Sequence, residues 1–235
     1  MRSVAPMLAI GASVMLAACG HAPGYPPNPI LRPGEVMDFA TLYKQNCAAC
    51  HGANGQNGPA MDLANPEYQA LVDDTTLRKW ISGGMPGTEM PAFARSEGGM
   101  LTASQVNVLI AGMRKNWMKP NSFGSATPPA YAQTQSGDAH LGGQIYAARC
   151  AECHRPGRRQ ITSADYLALV GDQALRTIMV AGRPDIGQPD WRHDSSGGKE
   201  AAPLTAQEVD DVVSYLASLR NGPEQSAMNA APAGR

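Results

Sequence analysis

The sequence predicts a helical protein built from two tandem copies of one small unit, and three observations carry that prediction. A pentapeptide occurs twice, as Cys47-Ala48-Ala49-Cys50-His51 and as Cys150-Ala151-Glu152-Cys153-His154. The residues around it recur in step, since Cys150 minus Cys47 and Tyr146 minus Tyr43 both give 103. Each copy also closes with a stretch whose apolar residues follow the i, i+3, i+4, i+7 steps of one helix face. These are Val106, Leu109, Ile110, Met113 and Trp117 in the first copy, and Val209, Val212, Val213, Leu216 and Leu219 in the second.

Both pentapeptides match C-x-x-C-H, the attachment pattern of haem c, with two thiols for the porphyrin vinyls and a histidine for the iron. On a helical turn the two sulfurs lie beside the ring edge, and the next residue turns its imidazole toward the metal. A zinc ribbon would pair the two C-x-x-C units without requiring a histidine after each. A thioredoxin-like dithiol would use one such motif on a βαβ pattern, which these surroundings lack. Two covalent haems are therefore expected, on Cys47 and Cys50 and on Cys150 and Cys153, with His51 and His154 as iron ligands.

The composition agrees with a chain wrapped around cofactors. Over 235 residues there are only three Trp and three Phe, and each half is large enough for a small core alone. The formal charge of -1 and pI near 6.5 come without a basic stripe, which argues against nucleic acid as a partner. Of five cysteines, four belong to the two motifs and the fifth is Cys19. None remains for a disulfide.

Residues 1–18 carry Arg2 and then a short apolar run ending in small residues, the pattern of a signal peptide. Leu16-Ala17-Ala18-Cys19 resembles a bacterial lipobox, which implies that Cys19 bears lipid and that the mature protein is exported and anchored to a bacterial membrane on its periplasmic side. Residues 19–35, with Pro26-Pro27 and Pro29, form an extended tether. The first unit runs over 36–119. A helix from about Glu35 carries Phe39, Leu42 and Tyr43 into Cys47. A Gly/Asn/Pro loop follows His51, then short helices over Pro66 to Val72 and Thr75 to Ser82, a Met90-Pro91 loop, and a last helix capped by Thr102 and Gln105. Residues 120–138 are a Pro/Ser/Gln-rich linker. The second unit spans 139–221, and a disordered tail fills 222–235.

The copies diverge in two loops. Tyr166 minus Tyr68 gives 98, and the same offset pairs Pro189 with Pro91 and Trp191 with Phe93. At Leu204-Thr205-Ala206, facing Leu101-Thr102-Ala103, the offset returns to 103. The second copy therefore has a shorter loop after its histidine and a longer segment, Arg192 to Pro203. Thr205 and Glu208 form its capping box.

With the aromatic helix, C-x-x-C-H, Met-Pro loop and terminal amphipathic helix in hand, each half resembles a class I cytochrome c domain. The resemblance covers about residues 36–118 and 139–220, and it implies an all-α fold of two tandem domains, each wrapped around one covalent haem c. It also implies Met90 as the distal ligand of haem 1, with Met85, which likewise precedes a proline, as the competing choice. Pro59 marks the turn whose carbonyl would orient His51.

The repeat breaks on the distal side of haem 2, where the 98 offset puts Gln188 opposite Met90. Three arrangements stay open there: an oxygen of Gln188, His193 from the longer segment, or water. Met179 is read as core, because its counterpart is Ile81. Each arrangement removes a soft thioether, so haem 2 should hold the lower potential. Arg158, Arg159, Arg176 and Arg183 are candidate propionate partners, with a solvated surface as the default role of each.

The resulting expectation is electron transfer by a membrane-tethered di-haem cytochrome c between a protein donor and acceptor, free or as a subunit of a respiratory complex. A haem enzyme or ligand-binding protein working at haem 2, like thiosulfate dehydrogenases or peroxidases, is the alternative. No P-loop, dinucleotide fingerprint or nucleophile elbow is present.

Overall fold

The computed structural model describes residues 31–192 and 202–220. The signal peptide, Cys19, most of the tether, His193 and the tail fall outside those residues. The chain divides into residues 1–35 and 36–235. Of the first unit, the described end holds one 3-10 turn, Pro33–Glu35. The second unit is helical, and among its described residues there is no strand, only two isolated bridges.

Most of the helices start at a side chain that satisfies their free amides. Helix α1, Phe39–Asn46, begins where Asp38 accepts from Thr41 N–H, so it starts later than the expected Glu35. Helix α2, Ala48–His51, is the first haem-motif turn. Asn65 caps α3, Pro66–Leu71, with Pro66 in its first turn. Asp73 caps α4, Asp74–Gly83, and the full Thr102/Gln105 capping box opens α5, Ala103–Trp117. In the second half Asp138 caps α6, Ala139–Arg149, and Ser163 caps α7, Ala164–Leu169. Helix α8, Asp172–Ala181, follows Gly171, and the Thr205/Glu208 box opens α9, Ala206–Arg220. Helices α7 and α8 repeat α3 and α4 at the 98 offset, and α9 repeats α5 at 103.

In each half the first and last helices cross, and a glycine permits the close approach. A Cβ on Gly112 of α5 would lie 2.1 Å from the Phe39 ring on α1. In the second half the glycine changes helix: a Cβ on Gly142 of α6 would lie 1.9 Å from the Asp211 carbonyl on α9. Phe39 aligns with Gly142 and Gly112 with Tyr215, but in the second half Gly142 meets the α9 backbone while Tyr215 lies 3.3 Å from a Cβ built on Gly143. Aromatic rings fill the space left over, with Tyr43 and Trp117 centroids 5.2 Å apart and Tyr146 and Tyr215 5.4 Å apart.

An arginine from each terminal helix ties the two short helices together. Arg114 donates to the carbonyls of Gln69 and Val72 and pairs with Asp74 at 2.8 Å. Arg220 does the same for Leu167, Val170 and Asp172, although it stands one turn further along its helix. Both neutralise carbonyls at a helix end that would otherwise lack donors.

The two halves share a seam. Asn65 donates to the carbonyls of Ala181 at 2.8 Å and Gly182 at 3.2 Å while capping α3. Leu71 packs on the cluster of Val180, Trp191, Leu204 and Val209, and Ala181 enters the core of the first half. The Pro/Ser/Gln-rich segment between them is fastened down rather than loose. Phe123 is buried in it, Tyr131 packs on the first core, and the carbonyls of Ala130 and Tyr131 accept from Arg176 Nε at 2.9 and 3.1 Å. Arg176, only 2% exposed, also pairs with Asp210, which is fully enclosed. The solvated role expected for Arg176 is therefore wrong.

Losing one member of such a pair leaves the other charge buried and alone. Arg176→Ala should lower the unfolding free energy of the haem-loaded protein by about 3–5 kcal/mol in urea titrations, whereas the Arg176→Met/Asp210→Leu double variant should recover most of that loss.

Candidate functional site

The two haem motifs adopt the same turn. In the first half the amides of Cys50 and His51 donate to the Cys47 carbonyl at 3.2 and 2.9 Å, and in the second those of Cys153 and His154 donate to Cys150 at 3.2 and 3.0 Å. The Tyr43 hydroxyl donates to Gly52 O at 2.9 Å, and Tyr146 to His154 O at 3.1 Å, which fastens each turn to its first helix.

A backbone carbonyl then sets each imidazole. His51 Nδ1 lies 2.8 Å from Met61 O, and His154 Nδ1 lies 2.7 Å from Arg159 O. A carbonyl only accepts, so in the neutral ring the proton sits on Nδ1 and Nε2 keeps its lone pair; His154 lines a crevice. The carbonyl over His51 belongs to Met61 and not to the Pro59 turn expected from sequence. The Ala60 amide donates to Cys50 O at 2.9 Å, drawing the loop past Pro59 before its carbonyl reaches the ring. Met61 and Arg159 stand at the 98 offset, and so the shortening of the second loop is absorbed between histidine and carbonyl. Burial pushes the His51 pKa below its usual value, which favours the neutral, metal-binding form.

The opposite wall is also built twice. Gly84 and Gly182 stop α4 and α8 at φ of +72° and +74°. A Cβ on Gly84 would lie 2.8 Å from both Met90 O and Ala92 N, and one on Gly182 would lie 3.0 Å from Gln188 O and Asp190 N. Only glycine fits both the positive φ and the approach. Met85 N–H donates to Met90 O at 3.1 Å, as Arg183 N–H does to Gln188 O at 2.9 Å. Gln188 thus occupies in the second half the position that Met90 occupies in the first. Met90 is half-buried against the first core, and Met179 packs against two apolar clusters of the second half while lining its cleft.

Gln188 Oε1 lies 3.1 Å from His154 Nε2. The amide is oriented by its Nε2–H, which donates to Pro189 O at 3.1 Å. With Nδ1 of the neutral ring donating to Arg159, two acceptor atoms face each other. Such an arrangement is unfavourable between neutral groups, and it brings the two side chains together across the crevice. In the same cleft, the buried Trp191 Nε1–H has no hydrogen-bond partner among the described residues, and a carboxylate such as a haem propionate would supply one. Paired thiols, an imidazole with its tautomer set, and a thioether or amide opposite are a donor set that fits haem c.

The competing readings of the cysteines do not fit. None of the four described cysteines is in a disulfide, and burial, with Cys50 adding to it, pushes the Cys47 thiol up to about 12. Dithiol chemistry needs a depressed thiol pKa. Among the described residues no three His, Cys, Asp or Glu side chains gather into a metal-binding cluster, as zinc would require.

Of the candidate propionate partners, Arg158 and Arg159 are exposed. Arg183 is not: it is 4% exposed and pairs with Asp185 at 2.8 Å, which corrects the solvated role expected for it. Trp191, Asp62 and the Arg183–Asp185 pair were missed as parts of the site. A signal for the pair existed, since Arg183 and Asp185 align with the uncharged Met85 and Gly87, beside the matched Gly84/Gly182 and Pro86/Pro184.

Asp62, next to Met61 whose carbonyl accepts from His51, is 2% exposed, and burial with the nearby Asp185 charge raises its pKa to about 6. A carboxyl raised on folding binds more protons in the native state, so its contribution to stability falls as pH rises. Unfolding free energy should decline between the ordinary carboxylate value of 3.8 and about 6, and Asp62→Asn should flatten that decline.

Two family descriptions match the chain. "Cytochrome C oxidase, cbb3-type, subunit III" matches residues 34–111, and "Cytochrome c" matches residues 139–220. The cbb3-type cytochrome c oxidase subunit FixP of Sinorhizobium medicae is 26% identical over 69% of this chain and 59% of its own length. The cytochrome bc1 complex cytochrome c subunit of Corynebacterium diphtheriae is 24% identical over 83% of this chain and 70% of its own. The dihydro-heme d1 dehydrogenase of Pseudomonas aeruginosa is 35% identical over 34% of this chain and 14% of its own length. The chain thus spans about six-tenths of the FixP relatives it matches.

Proposed function

Because this chain is a tandem pair of cytochrome c domains, we propose that it carries single electrons between a protein donor and acceptor of a respiratory chain. When bound, haem iron supplies the one-electron Fe(III)/Fe(II) couple. Two haems are attached covalently, through Cys47 and Cys50 and through Cys150 and Cys153.

His51 and His154 are the proximal ligands. The observation that carries this reading is the doubled anchoring of imidazole Nδ1 to a loop carbonyl, at 2.8 and 2.7 Å, on two copies of the same cysteine turn. Met90 is the distal ligand in the first domain. Its neutral sulfur stabilises the reduced state and raises the potential. In the second domain Gln188 presents a harder amide oxygen, which favours the oxidised state. His193 remains the alternative donor there.

The protein is exported and held at the membrane by lipid on Cys19, a reading supported by Leu16-Ala17-Ala18-Cys19. No described helix is long and apolar enough to cross a membrane. The relatives named as cbb3 oxidase and bc1 subunits support work inside or beside a respiratory complex. A second reading, ligand binding or catalysis at the second haem, is favoured by one observation alone: an amide oxygen stands where the first domain has a thioether, and it is easier to displace.

Spectroelectrochemical titration should resolve two one-electron steps, the lower belonging to the second domain. Gln188→Met should raise that lower potential and leave the upper one in place. A second haem titrating at or above the first would overturn the assignment. Carbon monoxide added to the reduced protein separates the two readings: two inert haems support pure transfer, and rapid binding at the second domain supports the other.

A further inference from the structure

The pair formed by Arg183 and Asp185 belongs to neither domain's own repeat. In the first domain Met85 and Gly87 hold the equivalent positions. In the second, the Arg183 side chain is 5% and the Asp185 side chain 1% exposed. They meet through two parallel bonds, Nε to Oδ1 at 2.9 Å and Nη2 to Oδ2 at 2.8 Å, the geometry that makes guanidinium–carboxylate pairs directional.

Each member also reaches across the seam into the loop that follows His51. Arg183 Nη2 donates to Gly58 O at 3.0 Å, and Asp185 Oδ2 accepts from the Asn57 amide at 2.8 Å. That loop runs on to Met61, whose carbonyl sets His51. The other end of the device is Gln188. Its amide and carbonyl exchange hydrogen bonds with the Arg183 backbone, both at 2.9 Å, closing the turn that aims Oε1 at His154.

We infer that Arg183 is a positioning residue: its buried pair with Asp185 clamps the Gln188 loop of the second haem crevice onto the Asn57–Gly58 loop of the first, so that the distal side of haem 2 is held by the other domain. This rests on the reading of Gln188 as distal ligand. A short turn with φ of +74° and +75° at Gly182 and Gly187 has little rigidity of its own. Without the clamp it is free to carry the amide away from the iron. Lysine in place of arginine would keep the charge but lose the fork.

The test uses the full-length, haem-loaded protein and compares Arg183→Met, Arg183→Lys, Asp185→Asn and Gln188→Ala. Electron paramagnetic resonance of the oxidised protein and carbon monoxide binding to the reduced protein are read for each haem. Arg183→Met should reproduce the second-haem spectrum and the faster carbon monoxide binding of Gln188→Ala, with the first-haem signal unchanged. Asp185→Asn should shift the second haem in the same direction, and Arg183→Lys should lie between Arg183→Met and the parent. If Gln188→Ala alters the second haem but Arg183→Met and Asp185→Asn retain the parent spectrum, the inference falls and the ligand reading stands. A lower thermal midpoint with both spectra unchanged has the same meaning, since it marks a purely structural pair. If Gln188→Ala itself leaves the second haem unchanged, the ligand reading fails and takes the inference with it. Should Arg183→Met fail to fold, the isosteric Asp185→Asn decides between these outcomes.

Discussion

An imidazole offered to a metal must keep its other nitrogen protonated and its ring still, and most of the described architecture bears on that requirement. The proton on Nδ1 of His51 and of His154 needs a fixed acceptor, which in both halves is the carbonyl of a loop residue. That loop can hold its place only if the cysteine turn before it is tied to the first helix, as the tyrosine hydroxyls do. The first helix in turn is fixed by its crossing with the last. The glycines at those crossings are therefore linked to the two histidines through a short chain of contacts.

The same scaffold presents two different side chains. In both halves a glycine of positive φ ends a helix and lets the next loop fold under it, delivering residue 90 or residue 188 to the same place. What the residue can do is then a matter of its chemistry: a thioether in one case, an amide oxygen in the other. His154 Nε2 and Gln188 Oε1, two acceptors 3.1 Å apart, are a poor arrangement between neutral groups. The two halves thus place different chemistry, Met90 and Gln188, on a shared backbone geometry.

The seam gives that asymmetry a context. Two domains joined by a loose linker would tune their centres independently. Here the joining segment is pinned by Arg176, the α3 cap bonds to the end of α8, and a buried ion pair spans from one crevice to the other. Buried charges are costly to assemble and are tolerated where they are fully paired. The Arg183–Asp185 pair meets that condition by using carbonyl and amide groups of the opposite domain.

The sequence by itself determined the parts of the protein that depend on local spacing. The doubled C-x-x-C-H, the caps at Thr102 and Thr205, the apolar stripes of the last helices and the two offsets all follow from contacts between residues near in sequence. For that reason the helices and the alignment of Gln188 with Met90 were legible. Tertiary structure decided whatever depends on residues far apart. It chose Met61 over the Pro59 turn as the source of the carbonyl on His51, because loop closure and not composition fixes which carbonyl reaches the ring. It moved the crossing glycine from α5 to α6, where the glycine meets backbone and not a ring, because the approach of two helices is set by both together. It also buried Arg176 and Arg183, which look like surface residues until their carboxylate partners and the carbonyls of other segments are folded against them.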